Sequence, residues 1–199
     1  MARLTRFLRR LRGPRKVRVG LKIPTPDKQI LILVDKLNKV KGYARRPLCH
    51  AGKGKMHRAF VAFIDTPRGI ILQKRKHWLW NGYLDVSATS HCLRLGRRSE
   101  SYYEAGQRCV RHELGLAPRF LANVGSYTYF AKHGKSCENE HCTVLIGYSE
   151  ELPDPNPDCV HGLYYFSIDK LALLNERKDI TPWLRKALPI VLAAYGKQG

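Results

Sequence analysis

The chain is predicted to be an α/β protein of the α+β kind, a mixed β-sheet with helices packed on it. Three observations carry this expectation. Short apolar or alternating runs bounded by turn residues occur in both halves of the chain. Between them lies a segment with helical start and stop signals, and near the end Thr181-Pro182-Trp183 opens a further helix. Strands on both sides of a capped helix require a sheet whose faces the helices cover.

Taken in order, residues 1–20 hold eight basic residues and no acidic one, and Leu4, Phe7, Leu8 and Leu11 recur at helical spacing among the arginines. This reads as a basic amphipathic helix that would tether the chain to an anionic membrane surface, or as a solvated arm. We treat 1–27 as an N-terminal extension and 28–199 as the domain. Strands are predicted at QILILV from Gln29, HRAFVAFID from His57, GIILQKR from Gly69 and YLDVSAT from Tyr83. Ser99 to Leu114 reads as a helix, with Ser101 and Glu104 spaced as a capping box and Gly115 as its stop. Strands resume at LANVGSYTYF, HCTVLIGY and LYYFS, the last two separated by the breaker-rich LPDPNPD.

At 199 residues the chain is long enough for one well-buried core and short for a second domain. Lys+Arg 36 against Asp+Glu 16 gives a net charge of +20, enough to concentrate anions such as diphosphates, nucleic acid or acidic lipid. Nucleic acid is the weakest of these, because no recognition motif with interleaved aromatics is present. The sequence lacks a membrane-spanning apolar run, and its basic start lacks the apolar stretch of a secretory signal, so a cytoplasmic protein is expected, with peripheral membrane contact through residues 1–20. Six cysteines without a CxxC pair read as reduced thiols. Oligomeric state is not legible.

The residues able to bind a metal lie at strands or strand edges: His50, His57, His91, Glu138 and Glu140. Glu138 and Glu140 are two apart, so in a strand both carboxylates share a face while Asn139 points away. Imidazole with carboxylate suits divalent first-row metals with positions left open for substrate. On the residues alone, histidines making structural hydrogen bonds remain the alternative.

The stretch CHAGKGKMHRAF, with histidine and a second histidine seven residues on followed by x-A-F, resembles a signature of type I isopentenyl-diphosphate isomerases, within the Nudix superfamily. SATSHC around His91 is similar to their N-[ST]-x-C-[GS]-H-P segment, and ENEHC to their E-N-E-x-C. QKRK, RHELGL and ITPWLRKA match further segments in order, from about Lys28 to Ala194. The resemblance implies a Nudix-type fold, a Mn, Zn or Mg ion on His50, His57, His91, Glu138 and Glu140, and a prenyl diphosphate substrate. It implies that Arg46, Arg75 and Lys76 hold the diphosphate with a magnesium ion associated with Glu113. It further implies that Glu140 protonates the alkene, supported by Tyr129, with Trp183 facing the carbocation.

The chain departs from that pattern where the family has a cysteine opposite the glutamate. Here that position is Thr89, a far weaker acid than a thiol and a poor base unaided. Cys92, three residues on, would face the other side of an extended segment. In RCVRHELGL, Cys109 and His112 replace two of the three glutamates of the Nudix hydrolase helix, which weakens hydrolysis as a reading. The expected function is therefore alkene protonation of a prenyl diphosphate in the isomerase lineage. Cyclisation, hydrolysis or a lapsed diphosphate- or membrane-binding domain are the alternatives.

Overall fold

The computed structural model describes residues 23–196; the basic helix read over residues 1–20 lies outside them. A 3-10 turn at Pro26–Lys28 leads into a hairpin, β1 (Ile30–Val34) and β2 (Val40–Arg45), and then a single helical turn, α1 (Arg46–Cys49). A second hairpin, β3 (His57–Thr66) and β4 (Gly69–Arg75), precedes four short strands: β5 (Leu84–Asp85), β6 (Ala88–His91), β7 (Arg94–Leu95) and β8 (Arg98–Ser99). Helix α2 (Tyr102–Leu114) connects to the long hairpin β9 (Leu121–His133) and β10 (Ser136–Tyr148). Strand β11 (Val160–Phe166), the short α3 (Ile168–Ala172), a 3-10 turn at Leu173–Glu176 and α4 (Pro182–Gly196) complete the described chain.

Strand β3 is the centre of the main sheet. Along one edge it pairs in parallel with β10 from His57↔Glu140 to Asp65↔Tyr148. Along the other it pairs antiparallel with β6 over Ala59–Ala62, with β4 over Ile64–Thr66, and with β1 at His57. β9 flanks β10, and β11 flanks β4. One parallel and several antiparallel pairings make the sheet mixed, as the sequence pattern predicted.

Because side chains alternate across a strand, the apolar run of β3 serves two cores. Ala59, Val61 and Phe63 pack with Leu72, Val144 and Ile146 against Trp183, Leu184 and Leu188 of α4. Phe60, Ala62 and Ile64 pack on the other face with Ile71 and Leu145 against Ala105, Cys109 and Val110 of α2. Ile23, ahead of residue 28, packs against the small cluster of Leu31, Cys49 and Leu93.

The short elements Arg46–Cys49, Arg94–Leu95 and Ile168–Ala172 were not expected, and the chain departs from the sequence expectation at three further places. The predicted helix from Ser99 begins at Tyr102, because Arg98–Ser99 pairs as a β-hairpin strand and Ser101 is the cap. YLDVSAT is two strands rather than one, interrupted where the Ser87 hydroxyl donates to Ile71 O and accepts from Ile64 N. β2, VKGYAR, was not expected: it is a largely exposed edge strand whose lysine and glycine hide any apolar alternation. The capping box itself is as read, with the Ser101 hydroxyl accepting from Glu104 N and Glu104 accepting from Ser101 N, and Gly115 closes the helix at φ 68°.

Replacing Ser101 by Ala removes half of this reciprocal cap and is expected to lower stability by about 1 kcal/mol. Urea unfolding checks this as a lower midpoint at unchanged slope.

Candidate active site

Strand register builds the site. The β3/β10 ladder sets Glu140 directly beside His57, and the β10/β9 ladder sets Tyr129 on the other side of Glu140. The three therefore form one row across neighbouring strands. His57 has the parity of Ala59 and Val61, and Glu138 and Glu140 that of Cys142 and Val144, so all point toward the face covered by α4. His91 enters from β6, where it lies opposite Ala59.

His50 comes from the loop after α1. Cys137 N donates to His50 O at 3.0 Å, which fastens this loop to β10. Gly54 lets it close: its φ is +64° and a Cβ there would lie 2.7 Å from Cys137 Sγ. The three imidazoles meet with ring centroids 4.8 to 5.1 Å apart.

Each imidazole uses one nitrogen to hold its orientation. His50 Nδ1 donates to Cys137 O at 3.0 Å and His57 Nδ1 to Lys55 O at 2.7 Å; His91 Nε2 donates to Glu140 Oε1 at 3.0 Å. A carbonyl or carboxylate can only accept, so the opposite nitrogen of each neutral ring keeps a lone pair. His50 Nε2 and His91 Nδ1 are buried and make no hydrogen bond, while Glu138 Oε2 lies 3.0 Å from His50 Nδ1 and His57 Nε2 lies 3.5 Å from Glu140 Oε1. One ligand atom from each of His50, His57, His91 and Glu138 lies within 4.8 Å of all the others. Three imidazoles and a carboxylate gathered this closely form a donor set that suits a divalent cation.

Glu140 is set slightly apart. It approaches His57 Nε2 at 3.5 Å, and its other oxygen accepts from the Tyr129 hydroxyl at 2.6 Å. Burial alone would raise its carboxyl, but the hydrogen bond and charge of His57, with Tyr129, hold it below the ordinary carboxylate value.

Two chambers adjoin each other here, and the smaller touches this cluster. The smaller, about 50 Å³, is walled by Glu138, Glu140, His91, Tyr129, Thr89 and Trp183, with Arg46, Arg75 and His77 at its rim. The larger, about 460 Å³, shares Arg46, Arg75, His77 and Thr89 and adds Lys76, Gln73 and Glu113. Thus the expected diphosphate residues lie beside the larger chamber, and the expected alkene residues beside the smaller.

The individual placements sharpen the sequence reading. The Thr89 hydroxyl donates to Phe60 O at 2.9 Å, so its proton is committed to the backbone. Cys92 faces the α2 core, on the opposite side from Thr89. Glu113 is remote from the three histidines: Gln73 Nε2 donates to it at 2.6 Å and Cys109 Sγ at 3.2 Å, and enclosure pushes its carboxyl up to about 7. Lys76 reaches outward to Pro157 O at 2.7 Å. Tyr129 and Trp183 belong both to the core and to the chamber wall. Residues that the sequence reading missed are Gln73, His77 and above all Asp85. The signal for Asp85 was a carboxylate inside an otherwise apolar strand run.

No protein-family model matches the chain. It is 30% identical over 180 residues to isopentenyl-diphosphate delta-isomerase 2 of Homo sapiens, covering 79% of each chain. To the isopentenyl-diphosphate delta-isomerase of Nocardia farcinica it is 32% identical over 168 residues, covering 82% of this chain and 94% of that one. The chain belongs to the isopentenyl-diphosphate isomerase family. The family is one of enzymes, and the order of motifs from His50 to Trp183 is a member's. Solved structures show the fold: a protein from Deinococcus radiodurans superposes with TM-score 0.60 at 21% identity, over 80% of this chain and 97% of that one. A MutT Nudix hydrolase from Burkholderia pseudomallei does so at 0.52 and 18%, over 69% and 98%. The mixed sheet with helices on it is thus Nudix-type, and family membership places the chain in the isoprenoid-diphosphate lineage. Among the described residues no helix is long and apolar enough to cross a membrane.

His77 offers a check on the electrostatics of the rim. Burial, then the nearby Arg75 and Arg46, lowers its imidazole from 6.5 to about 4. A folded value below the unfolded one contributes stability present above about pH 6.5 and lost as pH falls through about 4. NMR titration of the His77 ring is expected to find it neutral down to about pH 4.

Proposed function

We propose that this chain is a metal-dependent enzyme that protonates the alkene of a small prenyl diphosphate, with isopentenyl diphosphate as its first substrate. The observation that carries the reading is the clustering of His50, His57, His91 and Glu138, with a ligand atom of each within 4.8 Å of the others, beside the Glu140–Tyr129 pair. Gathering three imidazoles and two carboxylates in a buried place is costly in a protein with no use for them. This argues against a lapsed binding domain.

The donor set suits manganese, zinc or magnesium, with Glu140 completing it as a fifth ligand. When bound, such an ion supplies a fixed positive charge that orders the ligands and stabilises negative charge beside them. Glu140, a carboxylate in the free site, would take up a proton from solvent and deliver it to the terminal alkene carbon, and the Tyr129 hydroxyl, at 2.6 Å, stabilises the carboxylate left behind. Trp183 presents its π-face to the tertiary cation, worth about 2 kcal/mol where water is excluded. Arg46 and Arg75 hold the diphosphate through forked contacts and Lys76 through its point charge, with a magnesium ion associated with Glu113.

Thr89 decides the fate of the cation. With its hydroxyl bonded to Phe60 O and no thiol at that position, the proton on the opposite face leaves by another route than in the family's cysteine members. That observation favours a second outcome, in which the cation is captured by water or by a further alkene, giving a hydrated or cyclised product. Hydrolysis at phosphorus finds less support, since Cys109 is a buried neutral thiol rather than a carboxylate. We further propose a cytoplasmic enzyme whose residues 1–20 bring it to anionic membrane surfaces.

The test is turnover of isopentenyl diphosphate in heavy water with magnesium, manganese or zinc. Solvent deuterium is expected in the product, and Glu140→Gln is expected to reduce the rate by about 10³-fold. Thr89→Cys is expected to shift product toward the simple double-bond isomer. No deuterium incorporation into this or longer prenyl diphosphates, with metal demonstrably bound, overturns the reading.

A further inference from the structure

Asp85 is completely buried, and four donors converge on its two oxygens. Oδ1 accepts from Val86 N at 2.8 Å, from the Thr181 hydroxyl at 3.0 Å and from the Trp183 indole N–H. Oδ2 accepts from Arg75 Nη1 at 3.1 Å. Neither the metal-ligand cluster nor the proton transfer uses this carboxylate.

Its partners are the notable part. Arg75 has five N–H groups. Nε donates to Leu79 O at 3.0 Å and Nη1 to Asp85, which presets the plane of the fork and leaves its remaining N–H groups for the two chambers that Arg75 lines. The same guanidinium lies 5.1 Å from the Trp183 ring centroid. Trp80 packs edge-on against Trp183 at 5.1 Å, and the Tyr127 hydroxyl donates to Trp183 O at 2.9 Å. Trp80 sits at φ 53°, a left-handed conformation that a bulky residue holds only where its surroundings demand it. Arg75, the loop through Leu79 and Trp80, and Trp183 thus close a ring of contacts with Asp85 at its hub.

We propose that Asp85 is a positioning residue that locks the Arg75 guanidinium and the Trp183 indole into one unit. The group that holds the substrate's anionic end and the ring that faces its hydrocarbon end are then set relative to each other by one buried carboxylate. A buried charge is costly, and an apolar side chain would fill the same place against the α4 core at less expense to stability. The return is geometric: Arg75 is held at a fixed distance from the aromatic wall, so an anion on Arg75 places the rest of its ligand in register with Trp183 and Glu140. Asp85 also lies just before α4, where the helix N-terminus favours negative charge.

The proposal rests on the prenyl-diphosphate reading, and its test separates the two. Asp85→Asn keeps an acceptor for Trp183 and Thr181 but removes the charge facing Arg75. Inorganic diphosphate with magnesium is titrated calorimetrically into the full chain, and the Trp183 indole N–H resonance, assigned through Trp183→Phe, is followed by NMR. Asp85→Asn is expected to weaken diphosphate binding about tenfold and to move that resonance, yet to have less than about a twofold further effect in an Arg75→Gln background. Trp183→Phe, which removes the indole donor together with part of the ring, is expected to weaken diphosphate severalfold and serves if Asp85→Asn does not fold. Unchanged diphosphate affinity in these variants, or equal losses with and without Arg75, overturns the positioning role alone. No diphosphate binding by the unsubstituted protein overturns the prenyl-diphosphate reading and the proposal with it.

Discussion

The parallel ladder between β3 and β10 joins segments some 80 positions apart, and the position of nearly every site residue depends on it. It sets Glu140 beside His57, and through β9 it sets Tyr129 beside Glu140. A slip of one residue would turn Glu138 and Glu140 away from the α4 face and bring Asn139 and His141 into their places. The apolar register guards against this, because Cys142, Val144 and Ile146 belong to one core and Leu145 to the other. Burying the strand correctly and assembling the site correctly are therefore the same event.

The site concentrates what the rest of the interior avoids. His57 and Asp85 are fully buried, His91 and Glu140 nearly so, and His91 Nδ1 makes no hydrogen bond. The two apolar cores, one under each long helix, supply the stability that such a cluster withdraws. The arrangement also divides charge in space. In a chain of net charge +20, Glu138 and Glu140 line the smaller chamber and Glu113 the larger, while Arg46 and Arg75 line both and Lys76 the larger. On the proposed reading, an anionic head would lie against these basic groups and its uncharged tail would face the aromatic rings and the Glu140 carboxyl.

Legibility in the sequence followed the strength of the local signal. Ser101, Glu104 and Gly115 act through the backbone within four residues of themselves, so the cap and stop of α2 could be read, although its first turn could not be separated from the β8 hairpin. The long apolar runs of β3, β4 and β10 were plain for the same reason, whereas β2 carries lysine and glycine on an exposed edge and gave no periodic signal. The shared face of Glu138 and Glu140 and the opposed facing of Thr89 and Cys92 followed from a period of two, and both hold in the structure.

Sequence alone, then, determined the types of the long elements, the residues able to bind a metal, the family likeness and the replacement of a cysteine by Thr89, because each is written in residue identity or in spacing along one strand or helix. Tertiary structure decided that Glu138 closes the histidine cluster while Glu140 pairs with Tyr129, that Thr89 spends its proton on Phe60 O, and that Asp85 ties Arg75 to Trp183. These are contacts between residues tens of positions apart, and their partners are chosen by sheet register and helix packing, which no local pattern encodes.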